Sequence, residues 1–159
     1  MSVIIPISVV RDFTTTASIS SVYQVLADVP QSVGHFPQVE RLVALGDDKY
    51  RWEMERMGTQ KYYFQVRYVT RYTRNDTEKW IRWTPVTEGN GSFSGCWDLR
   101  EQDGKTHLHF ENTGHLEIPL PRLAKRLIKP FVEHQFNTLL DGYIVNLQRT
   151  FSGLKDASW

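Results

Sequence analysis

From Val39 to Glu117 apolar and polar residues alternate, and turn-forming groups break the alternation at short intervals. This pattern predicts consecutive antiparallel strands. Val39–Leu45 ends at Gly46-Asp47-Asp48. Tyr50–Met57 puts Tyr50, Trp52 and Met54 on one face, and Gly58 turns the chain. Lys61–Thr73 sets Tyr62, Phe64, Val66 and Tyr68 against Gln65, Arg67 and Arg71, and closes at the turn pair Asn75-Asp76. Trp80–Thr84 sets Ile81 and Trp83 against Trp80 and Arg82, and Gly89-Asn90-Gly91 reads as a hairpin turn. Ser92–Glu101 carries Phe93, Gly95, Trp97 and Leu99 on one face. After Asp103-Gly104, Thr106–Leu116 sets Leu108, Phe110 and Asn112 against His107, His109 and Glu111. One apolar face per strand predicts a half-buried antiparallel sheet.

The flanks have a different period. Val9–Ile19, with Phe13 central, reads as a first strand. Ser21 and Gln24 have capping-box spacing before a short helix with Val22, Val25 and Leu26 on one side, ended by Pro30. Gln31–Phe36 reads as a second helical piece closed by Pro37. Pro121–Phe151 is helical: Leu123, Leu127 and Phe131 recur every fourth residue, and after Pro130 the stripe becomes Val132, Phe136, Leu139, Leu140, Tyr143 and Leu147. A phase change at a proline predicts a kink or break at Pro130. The second stripe is amphipathic enough to cross a sheet.

Composition narrows the class. A chain of 159 residues has the size of one domain, read here as 1–159. Hydrophobic residues at 40% and charged residues at 23% exclude disorder. A net charge of +1 gives no global attraction to nucleic acid. Cys96, the single cysteine, excludes an intrachain disulfide and a multi-cysteine zinc site. No run reaches the roughly 18 apolar residues of a membrane span. Met1–Pro6 lacks the basic and apolar segments of a secretion signal, so a cytoplasmic location is expected. Eight Phe, seven Tyr and five Trp are enough to fill a large core or to line an apolar pocket.

The order of elements, with Ser20-Ser21-Val22-Tyr23-Gln24-Val25-Leu26-Ala27-Asp28, His35-Phe36-Pro37-Gln38-Val39, Ile81-Arg82-Trp83, Gly91-Ser92-Phe93-Ser94-Gly95 and Gly104-Lys105-Thr106, resembles the START and Bet v 1-like (SRPBCC) superfamily, including polyketide cyclase/dehydrase-like and coenzyme-Q-binding proteins. The resemblance covers nearly the whole chain. It implies an α+β helix-grip fold: a curved antiparallel sheet of about seven strands around a long C-terminal helix, with two short helices after the first strand. It also implies a cavity between sheet and helix for a lipid, quinone or aromatic polyketide.

Strand parity assigns the walls of such a cavity to Trp52, Phe64, Val66, Tyr68, Ile81, Trp83, Phe93 and Trp97, and to Leu108, Phe110 and Asn112. Leu127, Phe131, Phe136 and Leu140 of the long helix are expected to face them. Asn112 is the polar residue among these, and a buried amide needs partners. Three readings stand: a binding or carrier module for a small hydrophobic ligand, a cyclase- or dehydratase-like enzyme using the same pocket, and a protein-interaction module with a filled core.

Other chemistry is sparse. No Gly-x-Ser-x-Gly elbow or phosphate-binding glycine loop is present. No catalytic residue, cofactor or metal is assigned. His107, His109 and His115 share an outward parity, His35 reads as a loop residue, and Cys96 reads as an inert outward thiol. Glu53 and Glu55 beside Arg51 read as solvated charge. Arg67, Arg71 and Arg82 with Tyr63 and Trp80 form an outer face where arginine stems pack on rings, leaving monomer or homodimer open. Arg122, Lys125, Arg126 and Lys129 cluster at a helix beginning, where cations oppose the macrodipole. They read as a solvated face or as a contact for an anionic membrane or acidic partner.

Overall fold

The computed structural model describes residues 2–58 and 63–157. β1 (Val3–Thr15) is followed by α1 (Ile19–Ala27) and α2 (Val29–Val33). Then come β2 (Val39–Gly46), β3 (Lys49–Met54), the two-residue β4 (Met57–Gly58) and β5 (Tyr63–Phe64), β6 (Arg67–Asn75), β7 (Trp80–Gly89), β8 (Gly91–Gln102) and β9 (Lys105–Ile118). A 3-10 turn at Arg122–Ala124 leads into α3 (Lys125–Ala157). Seven strands form one antiparallel sheet in the order β1-β9-β8-β7-β6-β3-β2, and β4 and β5 pair separately. The fold is therefore α+β: a seven-stranded antiparallel sheet with a long C-terminal helix packed against it.

β1 starts earlier and stops sooner than its sequence pattern suggested. Val3, Ile5, Ile7 and Val9 alternate inward, and the strand pairs with β9 from Val3↔Ile118 to Thr15↔Thr106. Ser18, not Ser21, caps α1: its Oγ accepts from the Ser21 backbone N–H at 3.2 Å. Pro30 does not end α1. It stands in the first turn of α2, where a missing N–H costs nothing. Asp28 caps that turn, accepting from the Gln31 N–H at 3.2 Å.

Two expected strands are interrupted. β3 ends at Met54, and β5 and β6 part at Gln65-Val66; Lys61 and Tyr62 lie outside the described residues. Asn90 fills the gap. Its amide donates to Gln65 O at 2.7 Å, its Oδ1 accepts from Arg67 N at 2.8 Å, and its backbone N–H donates to Arg67 O at 2.9 Å. Glu117 N donates to Asn90 O at 2.7 Å. Gly89-Asn90-Gly91 is thus a clasp and not a closed hairpin: β7 pairs with β8 only from Trp80↔Asp98 to Trp83↔Gly95.

α3 continues through Pro130 without a break. The proline falls in the second turn and removes one ladder bond, to the Arg126 carbonyl. The change of stripe marks where the helix meets the sheet. Val132, Leu139, Tyr143, Leu147 and Phe151 are buried, while Leu123 and Leu127 are 93% and 83% exposed. Leu127 therefore does not face the sheet; the side of this turn that meets the core carries Ile128. Arg11 ties β1 to α3, donating to Asn137 Oδ1 at 2.8 Å and to Asp141 at 3.2 Å. His35 shares a hydrogen bond of 2.7 Å with Thr150, and Asn146 donates to His35 O at 2.9 Å.

Candidate functional site: an aromatic pocket under the long helix

The core forms two apolar clusters. One gathers α1, Trp97, Leu108, Phe110, Leu140 and Phe151. The other gathers Ile5, Met54, Phe64, Val66, Phe93 and Leu139. Phe36 and Tyr72 pack against both. A pocket lies at this seam, walled by β3, β6, β7, β8 and β9 on one side and by α2, Phe36, Phe136 and Tyr143 on the other. Its free volume is about 60 Å3, room for a few waters. Pockets for drug-sized ligands run to roughly 300–1,000 Å3. The aromatic side chains here line the interior and nearly fill it.

Their arrangement is specific. Trp52 and Tyr68 stack with centroids 5.6 Å apart at 14°, and Phe93 and Phe136 lie 6.0 Å apart at 30°. Phe36 stands edge-on to Trp52 at 5.5 Å and against Tyr143 at 5.1 Å. Polar atoms punctuate the walls. Trp52 Nε1 donates to Tyr72 OH at 3.2 Å, and Trp83 Nε1 donates to Asn112 Oδ1 at 2.9 Å. Tyr143 OH and Ser32 Oγ share a bond of 2.5 Å. Thr70 is 1% exposed, and its Oγ1 has no hydrogen-bond partner among the described residues. The Tyr72 hydroxyl is its polar neighbour, and their contact opposes the upward push of burial on the Tyr72 phenol. Burial raises the phenols of Tyr68, Tyr72 and Tyr143, Tyr72 to about 12. All three stay protonated and able to donate at neutral pH.

Of the wall residues expected from parity, Trp52, Tyr68, Ile81, Trp83, Phe93, Trp97, Phe110, Asn112 and Phe136 line this pocket. Phe64, Val66, Leu108 and Leu140 are buried but belong to the surrounding core, and Phe131 is half-buried beside it. Leu127 lies outside altogether. Parity reasoning missed Thr70 and Tyr72, although both continue the face of Tyr68. Tyr143 belonged to the stripe of α3. Phe36 had no periodic signal, because it sits on a turn before Gln38, whose φ is 60°.

A larger cleft of about 720 Å3 opens beside the pocket, between α1–α2 and the ends of β3, β6 and β7. Tyr23, Asp48, Arg74, Asp76 and Lys79 line it. Val29, Tyr72 and Ile81 border both spaces. Tyr23 donates to Asp76 at 2.6 Å.

The outer sheet face differs from expectation at Glu53, which is 5% exposed and not solvated. Arg41 grips it with bonds of 2.8 and 3.2 Å, and Arg51 and Arg67 approach to 3.8 Å. These guanidinium groups, Arg41 above all, lower its carboxyl below the usual range against the opposing effect of burial. Arg82 lies 4.0 Å over the Trp80 ring. His109 bonds Asp12 at 2.6 Å and Glu111 at 2.9 Å. Cys96 donates to Asp98 at 3.3 Å. Among the described residues no helix is long and apolar enough to cross a membrane.

The sequence matches no family model and no curated protein. Solved structures do match. TTHA0849 from Thermus thermophilus superposes with a TM-score of 0.71 at 18% identity, over 92% of this chain and 97% of that one. A START superfamily protein from Mycobacterium smegmatis gives 0.67 at 14%, over 92% and 98%. The Zhui aromatase/cyclase from Streptomyces sp. R1128 gives 0.60 at 16%, over 93% and 92%. Each superposes over more than nine-tenths of this chain, and the chain has a helix-grip, SRPBCC-like fold.

Proposed function

We propose that this chain binds a small hydrophobic molecule at the seam between its two core clusters, as a binding or carrier module in the cytoplasm. The observation that supports this most is Thr70. A buried hydroxyl without a partner costs about 1–3 kcal/mol, which a ligand hydroxyl or carbonyl would recover. Of the candidate classes — lipid, quinone or aromatic polyketide — the flat ones fit the stacked walls best. The free volume of about 60 Å3 requires a plug to move first. Phe36 and Phe136 are half-buried and line the pocket, and unlike Tyr72 and Asn112 they carry no side-chain hydrogen bond, so they are the side chains that give way.

A second reading, cyclase- or dehydratase-like catalysis in the same pocket, draws on the buried protonated phenols of Tyr68, Tyr72 and Tyr143, which suit polarising a carbonyl. It also draws on the likeness to an aromatase/cyclase. A filled core serving an outer surface draws on the small volume alone.

Native mass spectrometry before and after organic extraction tests the first reading, followed by displacement of a hydrophobic fluorescent probe by a naphthoquinone and by a fatty acid. An adduct lost on extraction, with tighter displacement by the quinone, is expected. Thr70→Val should weaken a ligand bonded there by about 2–10-fold. No adduct and no displacement would sink the reading and leave the filled core.

A further inference from the structure

We propose that the first turn of α3, with the 3-10 turn before it, docks this protein onto an anionic lipid surface. Leu123 and Leu127 are the most exposed large hydrophobic residues described, at 93% and 83%. They lie four residues apart, one in the 3-10 turn and one in the first turn of α3. Arg122, Lys125, Arg126 and Lys129 flank them along the chain. Lys129 pairs with Glu133 at 3.7 Å, whereas Arg122, Lys125 and Arg126 form no ion pair among the described residues.

Two features here work against the isolated fold. Bare leucine surface is unfavourable in water. Cations at a helix beginning oppose its macrodipole, and no acidic residue occupies the first turn. Both costs are relieved by one kind of partner. Leucines enter the boundary of the acyl chains while lysine and arginine heads stay among anionic headgroups. A nucleic acid would satisfy the cations but not the leucines. A second copy of this chain would cover the leucines but bring like charges together. The opposite side of the same turn packs on the core through Ile128, and Val132 beyond it is fully buried, so the exposed leucines can be covered without moving the core.

The test is sedimentation with sucrose-loaded vesicles of phosphatidylcholine alone and of phosphatidylcholine with phosphatidylserine, at low and high salt. Binding only to the serine-containing vesicles, weakened by salt, is expected. Lys125→Glu and Arg126→Glu should each weaken it by at least about five-fold, and the pair Leu123→Ser/Leu127→Ser should weaken it comparably. All four positions are exposed, so circular dichroism melting curves should match the parent. Absence of binding, equal binding to both vesicles, or binding indifferent to these variants would overturn the proposal. So would a dimer dissolved by Leu123→Ser/Leu127→Ser without any vesicle binding.

Discussion

The Trp83 indole occupies the space that a side chain on Gly95 would need. A Cβ built on Gly95 would stand 2.7 Å from Trp83 Cζ2 and 2.1 Å from the Glu111 carbonyl oxygen. The two residues are register partners, and Gly95 is in turn the partner of Asn112. Trp83 thus reaches across the bare strand β8 to its hydrogen bond on β9. Gly95→Ala should push both the ring and the β9 backbone at Glu111 away, break that bond and cost at least about 1–3 kcal/mol through overpacking. Loss of thermal stability with a changed tryptophan emission spectrum is the expected outcome. An unshifted melting temperature would show that the row of three is not rigid.

Phe136 is the plug that can be removed at least expense. Phe136→Ala should cost about 2 kcal/mol, less than a fully buried phenylalanine, and lower Tm by roughly 4–8 °C. It should also raise uptake of a hydrophobic dye by enlarging the seam. Calorimetry and dye titration check the two halves separately. A destabilised variant that takes up no more dye than the parent would place the free volume elsewhere.

Glu53 makes stability depend on pH. Its carboxyl titrates below the ordinary glutamate range when folded, chiefly because Arg41 donates to it. A group lowered on folding adds stability above its unfolded value and loses it as pH falls through the folded one. Glu53→Gln should therefore melt earlier than the parent at neutral pH. The two curves should converge in acid. A constant gap down to the acid limit would assign the loss to packing.

Cys96 should resist modification. Burial, then the bond to Asp98, pushes its thiol up to about 12. Alkylation by iodoacetamide at pH 8 should be slow in the native protein and fast in denaturant. Rapid native labelling would mean that β8 opens locally.

Most of the sheet was readable because its alternation is local: Trp83, Phe93 and Phe110 face inward by parity alone. Thr70 was readable in principle, since it continues Tyr68, yet a small polar residue gives no hydrophobic signal. Glu53 was not readable, because its burial depends on Arg41 and Arg67 from the two neighbouring strands, and register is not local. Leu127 failed for a related reason. A helical stripe names an apolar face but not whether anything covers it. The clasp at Asn90 was hidden inside a tripeptide that matches a common turn.

The short ladder beside that clasp bears on how the wall of the pocket yields. β7 and β8 share four register pairs, against twelve between β8 and β9. Beyond Trp83 and Gly95 the two strands share no further register pair before the chain itself joins them through Gly89-Asn90-Gly91, where Asn90 binds Gln65, Arg67 and Glu117 instead. The wall therefore has its fewest cross-links along this one seam, and a molecule wedged between β7 and β8 would meet the least resistance there.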